Sequence, residues 1–154
     1  MTVKAIPVGQ EGPRPYICVK DGAAPISFYA KALGATEKYR LAEPGGRIGH
    51  AELLIGGSVL MLSDEYPDAG VKSPSTIGGS PVTLSLYVAD VDRVAQTFVA
   101  AGGKVVREVS DQFYGDRGGK FEDPFGHIWW IATHKEDVSP EEMQRRAAAQ
   151  FGQA

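Results

Sequence analysis

Apolar and polar residues alternate with period two in several short runs, interrupted by two stretches of helical spacing. The clearest alternation is Val82–Val88, with Leu84, Leu86 and Val88 on one side and Thr83, Ser85 and Tyr87 on the other. Pro15–Lys20 repeats the pattern, setting Ile17 and Val19 against Arg14, Tyr16 and Cys18. Between these runs, Ile26, Tyr29, Ala30 and Leu33 recur at helical spacing, which predicts a helix over Ala23–Leu33 stopped by Gly34. Strands follow at 36–42 and 47–55, joined by Glu43-Pro44-Gly45-Gly46, and a third at 58–63 after Gly56-Gly57. The second half has the same order: strand 82–88, helix 90–101, then strands 104–109, 118–122 and 127–133.

The two halves share a fixed spacing. Asp21 and Asp90, Gly34 and Gly103, and Gly57 and Gly126 are each 69 residues apart (for example 90 − 21). Such self-similarity marks a duplicated unit. Module one covers about 14–63 and module two about 82–134. The Pro-, Gly- and Ser-rich 64–81 reads as a linker between them. A last helix is expected over about 139–151, with Ser139 as cap, Pro140 in the first position and Glu142 completing a capping box.

Composition narrows the function classes. The 154 residues, 43% hydrophobic and 23% charged, suit one globular domain. A net charge of −3 argues against binding a nucleic-acid backbone, which requires a basic face. A single cysteine, Cys18, forms no intrachain disulfide, so a cytoplasmic location is expected. Met1–Gln10 lacks a basic region followed by an apolar run, and no stretch approaches the roughly 18 apolar residues of a membrane span. The expected partner is a small molecule.

The tandem βαβββ order, with Gly49-His50-Ala51-Glu52-Leu53, Gly115-Asp116-Arg117, Asp123-Pro124-Phe125-Gly126-His127-Ile128-Trp129 and Glu136-Asp137-Val138-Ser139, resembles the vicinal oxygen chelate superfamily. That superfamily includes glyoxalase I, bleomycin-resistance proteins, fosfomycin-resistance enzymes and extradiol dioxygenases, and the match is nearest its PhnB-like branch. The resemblance implies an α+β fold. Two tandem βαβββ modules would form a cup-shaped, mixed but mostly antiparallel sheet with helices outside, plus a C-terminal helix. It also implies homodimers, sometimes with exchanged modules. Metal-dependent members draw their ligands from the first and last strands of each module, and those positions here are Arg14, Met61, Thr83 and Trp130. Divalent metals favour imidazole, thiolate or carboxylate ligands. Arginine is a fixed cation and the tryptophan indole only donates. The usual metal site is therefore expected to be absent, and no cofactor is assigned.

His50 and Glu52 are the one His/carboxylate pair two residues apart within a predicted strand. They read either as a hydrogen-bonded pair supporting the sheet or as cavity groups able to exchange protons. As ligands for a displaced divalent metal they would lack a third partner. By the 69-residue spacing, Glu52 matches Phe121, and Arg117 shares its parity. This places Phe121 and Arg117 in the cavity, with Arg117 or Arg14 as an anion clamp. A local Asp116–Arg117 pairing is the plainer reading of that loop. Of the adjacent tryptophans, Trp129 is expected in the core and Trp130 on the cavity wall. The candidate ligand-binding set is Arg14, Tyr16, His50, Glu52, Met61, Thr83, Ser85, Arg117, Phe121 and Trp130. Two functions follow: binding or sequestering an amphipathic or aromatic compound without metal, or a lyase, isomerase or dioxygenase acting through a displaced metal or through His50 and Glu52.

Overall fold

The computed structural model describes residues 3–8 and 10–152, so the opening Met1–Gln10 lies partly outside the described residues. Module one runs β1 (Tyr16–Val19), α1 (Ala23–Leu33), β2 (Thr36–Ala42), β3 (Ile48–Ile55) and β4 (Ser58–Asp64). The connecting segment holds a 3-10 turn at Pro67–Ala69 and a single helical turn, α2 (Pro74–Ile77). Module two runs β5 (Thr83–Tyr87), α3 (Val91–Ala100), β6 (Lys104–Asp111), β7 (Asp116–Glu122) and β8 (Ile128–His134). Helix α4 (Pro140–Phe151) follows.

Local chemistry sets these boundaries. Gly34 ends α1 in the left-handed conformation, at φ 66°, which glycine adopts without a Cβ penalty. Asp90 caps α3, its carboxylate accepting from the Arg93 amide at 3.0 Å. Ser139 caps α4 by accepting from the Glu142 amide at 3.2 Å. The expected capping box is only half made. The Glu142 carboxylate turns to Arg145 and Arg146 at 2.7 Å, and those cations, Arg145 first, hold its pKa down at about 2. Arg146 also grips Glu136 and the Phe113 carbonyl, and the rings of Phe113 and Phe151 meet edge to face, so α4 rests on the loop before β7.

Each module forms its own four-stranded sheet, in the orders β1-β4-β3-β2 and β5-β8-β7-β6. In both, the first and last strands pair in parallel and the remainder are antiparallel. Among the described residues, no strand pairing joins the two sheets. The modules meet through α1 against α3 and through one continuous core. Phe28 meets Phe98 and Phe125 edge to face, Phe98 packs on Phe121, and Tyr29 packs on Trp129. Burying such aromatic area supplies a large part of a domain's stabilisation.

The repeat's register holds in one strand pair and slips in another. Tyr16 lies opposite Met61 and Ser85 opposite Trp130, so β1 and β4 match β5 and β8 at the 69-residue spacing. Glu52 lies opposite Met61, but Lys120, not Phe121, lies opposite Trp130. Strand β7 therefore matches β3 with a spacing of 68 (120 − 52). The cause is the connection. Gly56-Gly57 joins β3 to β4, whereas Asp123–His127 joins β7 to β8 and inserts one residue more between matched positions. A one-residue slip carries every side chain of a strand to the opposite face.

Candidate functional site

On module one, the face of the sheet away from α1 presents a polar and aromatic network. Tyr16 on β1 hydrogen-bonds His50 Nδ1 on β3 at 2.8 Å, and the His50 ring also lies against Tyr39 of β2. His50 Nε2 is 3.7 Å from Glu52 Oε1, and Lys38 donates to Glu52 Oε2 at 3.3 Å. Met61 completes the row, opposite both Tyr16 and Glu52. Glu52 is buried, with Lys38 as its hydrogen-bond donor and the His50 ring beside it. Tyr16, Tyr39 and Leu41 remain exposed on this face.

His50 Nδ1 is engaged by the Tyr16 hydroxyl and Glu52 Oε2 by the Lys38 ammonium. Among the described residues, no three of His, Cys, Asp and Glu converge as a ligand set.

The open face of module two is built differently. Trp130 is half-buried, flanked by Ser85 and Lys120, with the Arg107 guanidinium over its ring at 5.0 Å. At one end of the sheet, Asp116 is buried and accepts from the Tyr87 hydroxyl at 2.6 Å. It also lies 2.8 Å from His134 Nδ1, while His134 Nε2 is 2.9 Å from Asp137. These carboxylates, Asp116 first, raise the His134 pKa above its ordinary value.

Two expected site residues are elsewhere. Phe121 is fully buried on the helix side, its ring 5.4 Å from Phe98 of α3. Arg117 also turns to the helix side, where Nε and Nη2 each donate to Asp92 at 2.8 Å and Nη1 reaches Asp111 at 3.2 Å. It is thus neither a cavity group nor paired with Asp116. The one-residue slip of β7 accounts for both. It also hides the residue that takes the Glu52 position, Lys120. Counting residues through the Asp123–His127 turn against Gly56-Gly57 is the signal that would have revealed it.

The four family metal positions split between the sheets. Arg14 is half-buried just before β1, Met61 lies on β4, Thr83 opens β5, and Trp130 lies on β8. A cleft of about 430 Å³ does run between the modules, but it is lined by Val59, Thr83, Ser85, Leu86 and Trp129 among others, without Met61 or Trp130. A second, of about 390 Å³, includes Tyr16, Cys18, Leu84 and His127. The expectation that the four positions surround one pocket is not met in these clefts. Met61 and Trp130 lie in separate sheets, and α1 packs against α3. Cys18 is half-buried, and burial, helped by Glu65 and Asp64, raises its thiol pKa.

Residues 13–131 match the model of the Glyoxalase/Bleomycin resistance protein/Dioxygenase superfamily, and the chain belongs to that superfamily. It is 42% identical over 139 residues to an uncharacterized protein of Mycobacterium bovis, spanning 88% of this chain and 91% of that one. A glyoxalase-related enzyme from Fulvimarina pelagi superposes with a TM-score of 0.63 at 25% identity, covering 81% of this chain and 88% of that one. The fosfomycin resistance protein FosX of Listeria monocytogenes, solved with Mn(II) and sulfate, shares the fold with a TM-score of 0.63 at 18% identity, covering 89% and 98%. No helix among the described residues is long and apolar enough to cross a membrane.

Proposed function

We propose that this chain binds a small amphipathic or aromatic molecule against the open faces of its sheets, without the superfamily's usual metal. The observation that carries this reading is the row Tyr16, Met61, Glu52 and Tyr39, with His50 bonded to Tyr16 and Lys38 to Glu52. It combines flat apolar surface with a few fixed polar anchors, as ligand sites do. Arginine, methionine, threonine and tryptophan at the four family positions favour binding without a metal. Exposed Tyr16, Tyr39, Leu41 and Tyr87 on the open faces favour a second copy covering them, as a homodimer.

Screening a panel of aromatic and amphipathic compounds by thermal shift tests the reading. Binding should raise the melting temperature, Glu52→Gln and Tyr16→Phe should diminish the rise, and a chelator should leave it unchanged. A flat response across the panel overturns the proposal. Light scattering of the purified chain tests the dimer, and a monomer at all concentrations removes that part.

A second reading rests on His50 lying between the Tyr16 hydroxyl and the Glu52 carboxylate. That arrangement can pass a proton, which makes the site an acid–base catalyst. Turnover of a bound compound that disappears in His50→Gln, with binding retained, would select the enzyme.

A further inference from the structure

Register places four residues in one row across the open face of the second sheet. Arg107 on β6 is opposite Lys120 on β7, Lys120 is opposite Trp130 on β8, and Trp130 is level with Ser85 on β5. Directly opposed residues hold their Cβ atoms about 4.5–5.5 Å apart, so this is a contiguous strip of two cations, an indole and a hydroxyl. Among the described residues neither Arg107 nor Lys120 forms an ion pair. Among the described residues, the one side-chain hydrogen bond of Arg107 goes to the neutral Gln112 amide oxygen at 2.9 Å. Of the acids near this row, Asp116 is engaged by Tyr87 and His134, and neither Glu108 nor Glu122 forms an ion pair with Arg107 or Lys120 among the described residues.

The matching row in module one shows what is unusual. There Tyr39, Glu52, Met61 and Tyr16 occupy the corresponding places, and the single acid is balanced by Lys38. Module two instead sets two positive charges on adjacent strands, which repel one another. The indole beside them is held in place from below. A Cβ on Gly118 would lie 2.5 Å from Trp130 Cζ2, so the ring lies down over the glycine, and Arg107 covers it at 5.0 Å. An arginine fork, a lysine point charge and a flat apolar wall together match a planar molecule bearing an anionic group.

We propose that this strip binds the carboxylate or phosphoryl group of an aromatic or otherwise planar ligand, the charge held by Arg107 and Lys120 and the ring by Trp130. This rests on the small-molecule reading above and specifies its ligand class as anionic.

Isothermal titration with 2-naphthoate and with its uncharged analogue 2-naphthamide tests it on the full chain. Wild-type protein should bind the naphthoate about tenfold more tightly than the amide. The preference should shrink as salt is raised and disappear in the Arg107→Gln/Lys120→Gln double variant. Lys120→Arg should keep the preference, which separates charge from a packing loss. Equal binding of the two compounds, or a preference that survives in a folded double variant, overturns the anionic assignment and leaves the small-molecule reading in place. No binding of either compound, combined with a flat thermal-shift panel, overturns both.

Discussion

Tyr29, on the helix of the first module, donates its hydroxyl proton to Asp123 in the last turn of the second, at 2.6 Å. Asp123 is almost fully buried and is a shared acceptor. It also takes the Trp129 indole N–H and the amides of Phe125 and His127, each at 3.0 Å. Burial first, and then Asp123, pushes the Tyr29 pKa well above its ordinary value, so the hydroxyl stays a donor. Tyr29→Phe should destabilise the chain by about 1–3 kcal/mol, the cost of leaving a buried acceptor one partner short. Urea unfolding measures this, and an unchanged midpoint would show that the inter-module bond contributes nothing.

Gly118 is the floor under Trp130. Gly118→Ala should displace the indole and cost about 1–3 kcal/mol through overpacking. Ligand binding on the second sheet should weaken more than stability alone explains. Comparing melting temperature with titration at a temperature well below melting separates the two effects. Intact binding in the alanine variant would detach Trp130 from the site.

Arg117 is tied to Asp92 of α3 and to Asp111, away from the open face. Arg117→Gln should therefore leave ligand affinity unchanged while lowering stability slightly, more in low salt than in high salt. A large loss of affinity at constant stability would return Arg117 to the binding site.

His134 gives the fold a pH dependence. Its hydrogen bonds to Asp116 and Asp137 raise its folded pKa above the unfolded value of about 6.5. The protonated ring therefore stabilises the fold fully below about pH 6.5, and that contribution is lost as pH rises through the folded pKa. Melting temperature should fall across that interval in the wild type and fall less in His134→Gln. Identical slopes would assign the effect to other groups.

The order of elements was legible because strands such as β1 and β5 alternate cleanly and the long helices begin or end on a recognisable residue, such as Asp90 or Gly34. Tyr16, His50 and Glu52, read by alternation within their own strands, share the face away from α1 with Met61, while Trp130 lies on the open face of the second sheet. Phe121 and Arg117 were misplaced because their faces were inferred through the repeat, across a turn whose length differs between halves. Lys38 was not legible at all, since it reaches Glu52 from beside a bulge between Glu37 and Tyr39, where period two breaks. Nor could sequence spacing show that α1 and α3 fill the junction between the sheets. That packing rests on the edge-to-face contact of Phe28 with Phe98, two residues that the alternation within each half does not bring together.

Because α1 covers α3, each half of the chain owns only part of the interior. A fragment ending within residues 65–82 would strip Phe28 and Tyr29 of their partners Phe98, Phe125, Trp129 and Asp123. Each repeat thus acts as a lid on the other's helix.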